Sequence, residues 1–552
     1  MISQLNKYQI GLFIIAVAVA SLVGINQYHY GMWNQFISLP WLHEIINPAL
    51  YQNDLLVDQH VNSPTFFLYG LAALLPWFAQ NISLMFFVIY VITLVLTIFS
   101  FYRLTAGLFN DKRSGILAVV LLAFAFPVIG DVSLWDSLLM ERTIALPFLL
   151  VSIYSSYTKK YWLTIVLQAI AFNIHPLSAA YIIAATWFGV LIAEGFKRDY
   201  FIYAGALMVL VSPALYLRFT SPSEMAATAE LSATWMEVMR LRNGHHTFPS
   251  EFPPLIFVKS LLIALSYFVL VAKGGFKQAQ KNYLLAFGAL ILFMLAVGTV
   301  FTELYPVKLI IQLQFYRAYL FLVILTIVLW AGLIITRPKP LFFLLAFPIL
   351  AQYFYGEWSK TATILILAPG AWFLLRFFGL KLRTTLTLST GFLALGLLAF
   401  ALRGGMNIEE GNQDQNWYAV QDWFRTNTDI NSLAIVPPAE AGFRVRSQRA
   451  SYGDWFDGTK AFFSEEYAEY WLDHMSKLGC IDPKNLTEDY QKLDHQDFLN
   501  IWEQEKDNFS EAYVVHYADK RIERLDCVFK NERFAVYQLP KKKQSRDFLA
   551  AQ

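Results

Sequence analysis

The feature that most constrains this chain is a succession of apolar runs, each close to the length of a membrane crossing. A helix needs about 20 apolar residues to span the hydrocarbon, within a range of about 17–25. With Lys and Arg taken as cytoplasmic anchors, such runs fall at 8–25, 82–102, 114–129, 142–157, 161–175, 177–196, 200–217, 254–272, 282–301, 309–335, 340–356, 361–376 and 384–402. They predict about thirteen membrane helices. Composition points the same way: 57% of the residues are hydrophobic, 15% are charged, and mean hydropathy is +0.44. A soluble domain carries about a quarter charged residues. The net charge of +2, with no long basic run, argues against nucleic acid as a partner.

Charge asymmetry orients the bundle. The segment Pro64–Ala79 is apolar but short, with Pro64 and Pro76 in it, and it reads as a re-entrant or interfacial helix. The basic loops at 103–113, 159–160, 197–198, 273–281, 337–339 and 376–383 then share the cytoplasmic side, as the positive-inside rule requires. The loop from Asn26 to Asn62 contains no Lys or Arg. The first apolar run lacks a small-residue cleavage site and reads as an uncleaved signal anchor. The expected N-terminus is cytoplasmic, and the odd span count sends the C-terminal region outside.

That region divides the chain into 1–403, a helical membrane domain, and 404–552, a small α/β domain. Trp417, Val420 and Trp423 recur at helical spacing, and Ser432–Val436, Glu511–Tyr517 and Phe534–Leu539 read as strands. The two cysteines, Cys480 and Cys527, lie here. A disulfide and two free thiols are both compatible with an extracytoplasmic location.

Polar groups gather in the loops assigned to the outer side. The first loop carries Asp54 and Asp58, and the second carries Asp131, Asp136, Glu141 and Arg142. His175 precedes Pro176 at a helix end, and RLRNGHHTFPSEFP supplies Arg242, His245 and His246. Arg317 lies within an apolar span, where a charge costs a few kcal/mol and so faces a protein interior or a water-filled cavity. Acidic loops can bind a divalent metal or supply a general base, and Arg can hold a phosphate. Each residue also has a plainer reading. The acids can cap helices, Arg317 can form a structural ion pair, and His175 can end a helix. Adjacent residues do not share a helix face, which argues against a two-His metal site at His245–His246. No glycine-rich phosphate loop, HExxH or GxSxG is present.

The stretches YHYGMWNQ (Tyr28–Gln35), NPALYQND (Asn47–Asp54), His175–Pro176, RNGHHTFPSEF (Arg242–Phe252), and WFRTNTDINSLAIVPP with FRVRSQR (Trp423–Arg449) carry a resemblance to bacterial membrane proteins of this layout. The layout as a whole resembles the GT-C superfamily of membrane glycosyltransferases. The resemblance implies a polytopic α-helical GT-C-like fold with an extracytoplasmic C-terminal domain, in a bacterial inner membrane. It implies an inverting glycosyltransferase with a polyprenyl-phosphate-linked sugar donor, an acidic base and, in some members, a divalent metal. Under it, Asp54 is the expected base with Asp58 in reserve. Arg317, His245, His246, Arg242, His175 and Arg142 are expected to bind substrate. Asp131, Asp136 and Glu141 are expected to ligate Mg or Mn. The sequence departs from the family in one respect: NQYHYGMWNQF, directly after the first span, has no Asp or Glu. Two other functions fit the same architecture: a non-catalytic protein that binds lipid-linked glycan for export or assembly, and a secondary transporter. No internal repeat favours the transporter.

Overall fold

Long apolar runs become long helices in the computed structural model, which describes residues 7–62, 65–123, 127–220, 231–345, 389–391, 393–394 and 414–540. Six helices among these residues are long and apolar enough to cross a membrane: Ile82–Phe109, Pro176–Glu194, Asp199–Thr220, Pro254–Lys273, Gln278–Leu304 and Lys308–Thr336. The chain is a multi-pass membrane protein. The spans expected at 361–376 and 384–402, and most of 340–356, lie outside the described residues.

The chain packs into two compact units. The first is built from the described residues of 1–29, 81–219 and 244–408. At its centre is the helix Tyr319–Thr336, buried at every residue from Tyr319 to Ile335. A helix that is apolar all round belongs inside a core, and this one has bundle neighbours on every face. Asp199–Thr220 is the opposite case. Only Leu207 and Val211 are buried, while Phe201, Ile202 and Val209 are exposed and suited to lipid. Small residues set the closest approaches, as membrane packing favours. A Cβ on Gly332 would collide with the Phe109 ring, and one on Gly189 would lie 2.9 Å from the Tyr283 ring.

One expected span is corrected here. The run at 114–129 forms a helix only over Lys112–Leu122, eleven residues, or about 16 Å. Every residue from Ser114 to Leu122 is buried, and a short antiparallel hairpin pairs Pro127–Val128 with Val132–Ser133. The run is a core helix, too short to cross a bilayer of about 30 Å. The first run keeps its expected extent: the helix Lys7–Ala20 continues for one wider turn, Ser21–Ile25.

The second unit gathers the described residues of 30–80, 220–243 and 409–552. Its sheet runs in the order Ala450–Ser451, Ser432–Ile435, Glu511–Tyr517, Phe534–Gln538, Asp526–Lys530. The first three strands are parallel and the remaining pairings antiparallel. The helix Gln415–Asn427 buries Trp417, Val420 and Phe424, and Trp417 meets Phe534 with ring centroids 5.1 Å apart. Cys480 and Cys527 are both free thiols.

The first loop packs within this unit. Gly442, with φ +81°, leaves no room for a Cβ beside the Phe36 ring, and Phe36 stacks edge-on against Phe456. The segment after it folds as Phe66–Leu74 and Leu75–Phe78, stopped by left-handed Ala79. Thirteen helical residues reach about 20 Å, short of a crossing. Phe67, Leu68, Leu71 and Leu75 are buried. Phe66, Tyr69, Leu74 and the 86%-exposed Trp77 form an opposite face that is also apolar.

Candidate functional site

One cavity in the membrane unit is built from helix beginnings. Arg142 and Thr143 open the helix Glu141–Tyr157, and His175 and Ser178 open Pro176–Glu194. Arg317 lies in the tight turn Phe315–Ala318 that leads into the helix Tyr319–Thr336. All five side chains line the same cavity of about 40 Å³, room for about three waters. Tyr90 and Asp136 complete its polar wall, and Leu94, Leu146 and Phe321 form part of its apolar wall. A helix N-terminus carries about half a positive charge in unbonded N–H groups, and three converge here.

Local backbone chemistry explains the placement of each group. The span that carries Arg317 is broken: Gln314 adopts a left-handed conformation with φ 42°, and a tight turn follows over Phe315–Ala318. The Tyr181 hydroxyl donates to the carbonyls of Leu313 and Gln314 that the break releases. Non-helical backbone at membrane depth persists where protein satisfies it in this way. His175 is the N-cap of its helix, its Nδ1 accepting the Ser178 N–H at 3.2 Å, and Pro176 follows at the first helical position. That bond leaves Nε2 as the protonated nitrogen of the neutral ring, a donor for the cavity.

The cations differ in their partners. Arg142 is held bidentately by Asp136, Nε to Oδ2 at 2.7 Å and Nη2 to Oδ1 at 2.6 Å. Arg317 has no carboxylate within ion-pair distance among the described residues, and its Nε is buried without a hydrogen-bond partner. Both oxygens of Asp136, expected to ligate a metal, are engaged by Arg142, and Asp136 is not in the cluster of possible metal ligands found among the described residues. Glu141, also expected to ligate a metal, lies in the first turn of its helix, where a carboxylate complements the helix dipole, and among the described residues it joins no cluster of possible metal ligands.

Asp131 sits at the tip of the hairpin, with φ 47° after Gly130 at φ 81°. Here it meets His245 and His246 at the end of the helix Ala233–Thr247. One ligand atom from each of the three lies within 4.8 Å of the others. Adjacency does not separate the two imidazoles, whose ring centroids are 3.9 Å apart. His246 donates from Nδ1 to the Gly130 carbonyl at 2.9 Å, which turns Nε2 into an acceptor. A histidine that binds metal through one nitrogen commonly donates its other N–H to a carbonyl in this way. Burial and the nearby Arg317 hold the His246 ring well below the usual histidine range, so it is neutral, as a ligand must be.

In the second unit, Asp54 is 2% exposed. Its Oδ1 accepts the N–H groups of Leu56 and Val57 at 3.1 and 3.4 Å. Its Oδ2 accepts Arg444 Nε at 2.6 Å and Ser451 N–H at 3.0 Å. Four donors match the four lone-pair positions of a carboxylate. Asp54, the expected general base, thus has each of these positions engaged within the protein. Asp54 instead caps the short helix Leu55–Asp58. Asp58, at the other end of that turn, is exposed. Partial desolvation, then Asp54 and Glu44, push its carboxyl up to about 6 against the opposing pull of His60. Glu44 and His60 pair at 2.9 Å.

Arg242, also expected to bind substrate, lies over the Trp455 ring at 5.0 Å, with Nε unbonded. Sequence reasoning missed Arg444, which clamps both oxygens of Asp457 through Nη1 at 2.9 and 3.1 Å. The available signal was FRVRSQR, whose arginines alternate with apolar and small residues.

Comparison with known proteins yields a partial picture. Residues 415–475 match the model of a domain of unknown function, DUF6798. No curated protein matches the sequence. The chain is similar to the crystal structure of ArnT from Cupriavidus metallidurans in the apo state, with TM-score 0.48 and 11% identity over 96% of this chain and 97% of that one. It is also similar to ArnT from the same organism bound to undecaprenyl phosphate, with TM-score 0.43 and 11% identity over 97% and 98%.

Proposed function

We propose that the protein is a glycosyltransferase of GT-C type that takes a polyprenyl-phosphate-linked sugar at the outer face of a bacterial inner membrane. One observation carries the reading: the unpaired Arg317 shares a cavity with three converging helix N-termini. Such a site has a net positive potential and calls for an anion. Its apolar wall and its membrane helices suit a phosphate borne on a lipid. In this reading Arg317, Arg142 and the His175 Nε2–H hold the phosphate. Of the two first-loop aspartates, Asp58 takes the role of base, because its carboxylate is accessible and more basic than usual. In such a transfer the acceptor hydroxyl would lose its proton to a base and attack the anomeric carbon, while the lipid phosphate leaves with the bonding electrons. Asp131, His245 and His246 would hold a divalent cation. Two imidazoles and one carboxylate suit zinc better than the magnesium or manganese expected from sequence; such a cation would supply Lewis acidity or rigidity.

The test is a transfer assay on purified protein with a panel of polyprenyl-phosphate sugars, alongside direct binding of undecaprenyl phosphate. Arg317→Leu should insert normally and lose the lipid-phosphate affinity. Equal affinity in the two proteins would overturn the assignment of the cavity.

A further inference from the structure

We propose that Arg444 and Asp54 are a positioning pair for Asp58: Arg444, in the C-terminal region, holds Asp54, whose contacts set the geometry of the turn that ends at the first-loop carboxylate Asp58. The inference rests on the reading of Asp58 as the base, but its physical content can be tested without that reading.

The geometry is a chain of buried, directional contacts. Arg444 is pinned from several sides. Nη1 holds Asp457, Nη2 donates to the Ser451 carbonyl at 3.1 Å, and its own carbonyl accepts the Tyr51 hydroxyl at 2.8 Å. Asp457 is itself locked to Asp454 by reciprocal bonds, each carboxylate accepting the other residue's N–H at 3.0 and 3.1 Å. From this anchor, Nε reaches Asp54. Asp54 spends its other oxygen on the first N–H groups of the turn that ends at Asp58, and its carbonyl accepts the Asp58 N–H at 3.0 Å. A four-residue helix cannot hold itself together, so the orientation of Asp58 depends on its cap. The Asp54 charge also lies close enough to disfavour the ionised form of Asp58. Three charged groups face Asp58: Asp54 from its own turn, Glu44 from the helix Gln35–Ile46, and His60 from the following turn. Asp54 and Glu44 raise its carboxyl and His60 lowers it.

A purely structural salt bridge would hold the fold and leave the titration of Asp58 alone, so the titration is the decisive readout. The intact chain in detergent is labelled with a carbodiimide and an amine across a pH series, and modification at Asp58 is read by peptide mass spectrometry. The wild-type midpoint should lie at about 6. Asp54→Asn should move it towards the ordinary carboxylate value of about 4, with several-fold less labelling at pH 6. An unmoved midpoint in folded Asp54→Asn protein overturns the proposal. Should that variant fail to fold, Arg444→Lys keeps a cation in the site but loses the fork. Hydrogen–deuterium protection should then fall across residues 51–58, and unchanged protection there also overturns it. Where wild-type protein transfers sugar, the acid limb of the pH–rate profile should follow the labelling midpoint in each variant. A labelling shift without any transfer activity would leave the pair standing and remove the catalytic reading of Asp58.

Discussion

Arg444 Nε lies 2.6 Å from Asp54 Oδ2, across 390 positions of sequence and wholly inside the protein. The contact makes the first loop and the C-terminal strands one folded unit. Breaking a buried ion pair by removing one partner typically costs about 3–5 kcal/mol, because the other charge is left uncompensated. Arg444→Met should therefore lower stability by about that amount, read as a loss of Tm or of denaturant midpoint. A loss below about 1 kcal/mol, the level of a surface pair, would show that water reaches the cluster.

Asp58 has a consequence for stability as a function of pH. Its folded carboxyl is raised from 3.8 to about 6, so between those values the native state keeps a proton that the unfolded chain has released. Stability must then fall as pH rises through that window. Asp58→Asn should flatten this part of the profile, as followed by thermal melts from pH 4 to pH 7 in the same buffer series. A steeper decline in the variant would contradict the sign.

The group Asp131, His245 and His246 predicts retention of a divalent cation through purification, measured by elemental analysis. His246→Ala should lower the zinc content several-fold, and Asp136→Asn, whose carboxylate serves Arg142, should leave it unchanged. Equal metal content in wild type and His246→Ala would remove the site.

Gly332 faces the Phe109 ring with no room for a side chain. Gly332→Leu should cost about 1–3 kcal/mol or more through overpacking, visible as earlier aggregation on heating in detergent. Gly205, in the helix Asp199–Thr220, where a Cβ would meet nothing within 4 Å among the described residues, is the matching control.

Orientation follows from the basic loops. Alkaline phosphatase fused at the C-terminus should be active, and a cytoplasmic reporter at the same place silent. The reverse result would invert every loop assignment and move the second unit to the cytoplasm.

The parts of the fold that follow from local chemistry were legible in the sequence. A run such as 82–102 has one stable solution in a bilayer, and it forms the helix Ile82–Phe109. A short apolar run rich in Val and Tyr such as Glu511–Tyr517 forms the strand it suggests. Hydropathy could not separate a core helix from a crossing one, and Lys112–Leu122 was misread for that reason. At the site, Arg317 stood out because a charge in an apolar run needs a polar environment. The Arg444–Asp54 contact left no trace, since nothing local in either segment specifies a partner several hundred residues away. The grouping of His245 with His246 was missed because the rule that adjacent side chains diverge describes helix interiors, and these residues sit in the final turn before Thr247.

The helix Tyr319–Thr336, buried along all but its last residue, bears on biogenesis. Its hydropathy is that of a segment the insertion machinery would release into lipid, yet in the finished bundle it touches almost none. It must leave the lipid again and be taken up by neighbours synthesised before and after it. During that interval the break at Gln314 and the charge of Arg317 would be exposed to hydrocarbon. The enclosure of this one helix therefore ties the cavity around Arg317 to completion of the bundle: a half-assembled chain has no cavity, and a quality-control protease has an unsatisfied backbone to recognise.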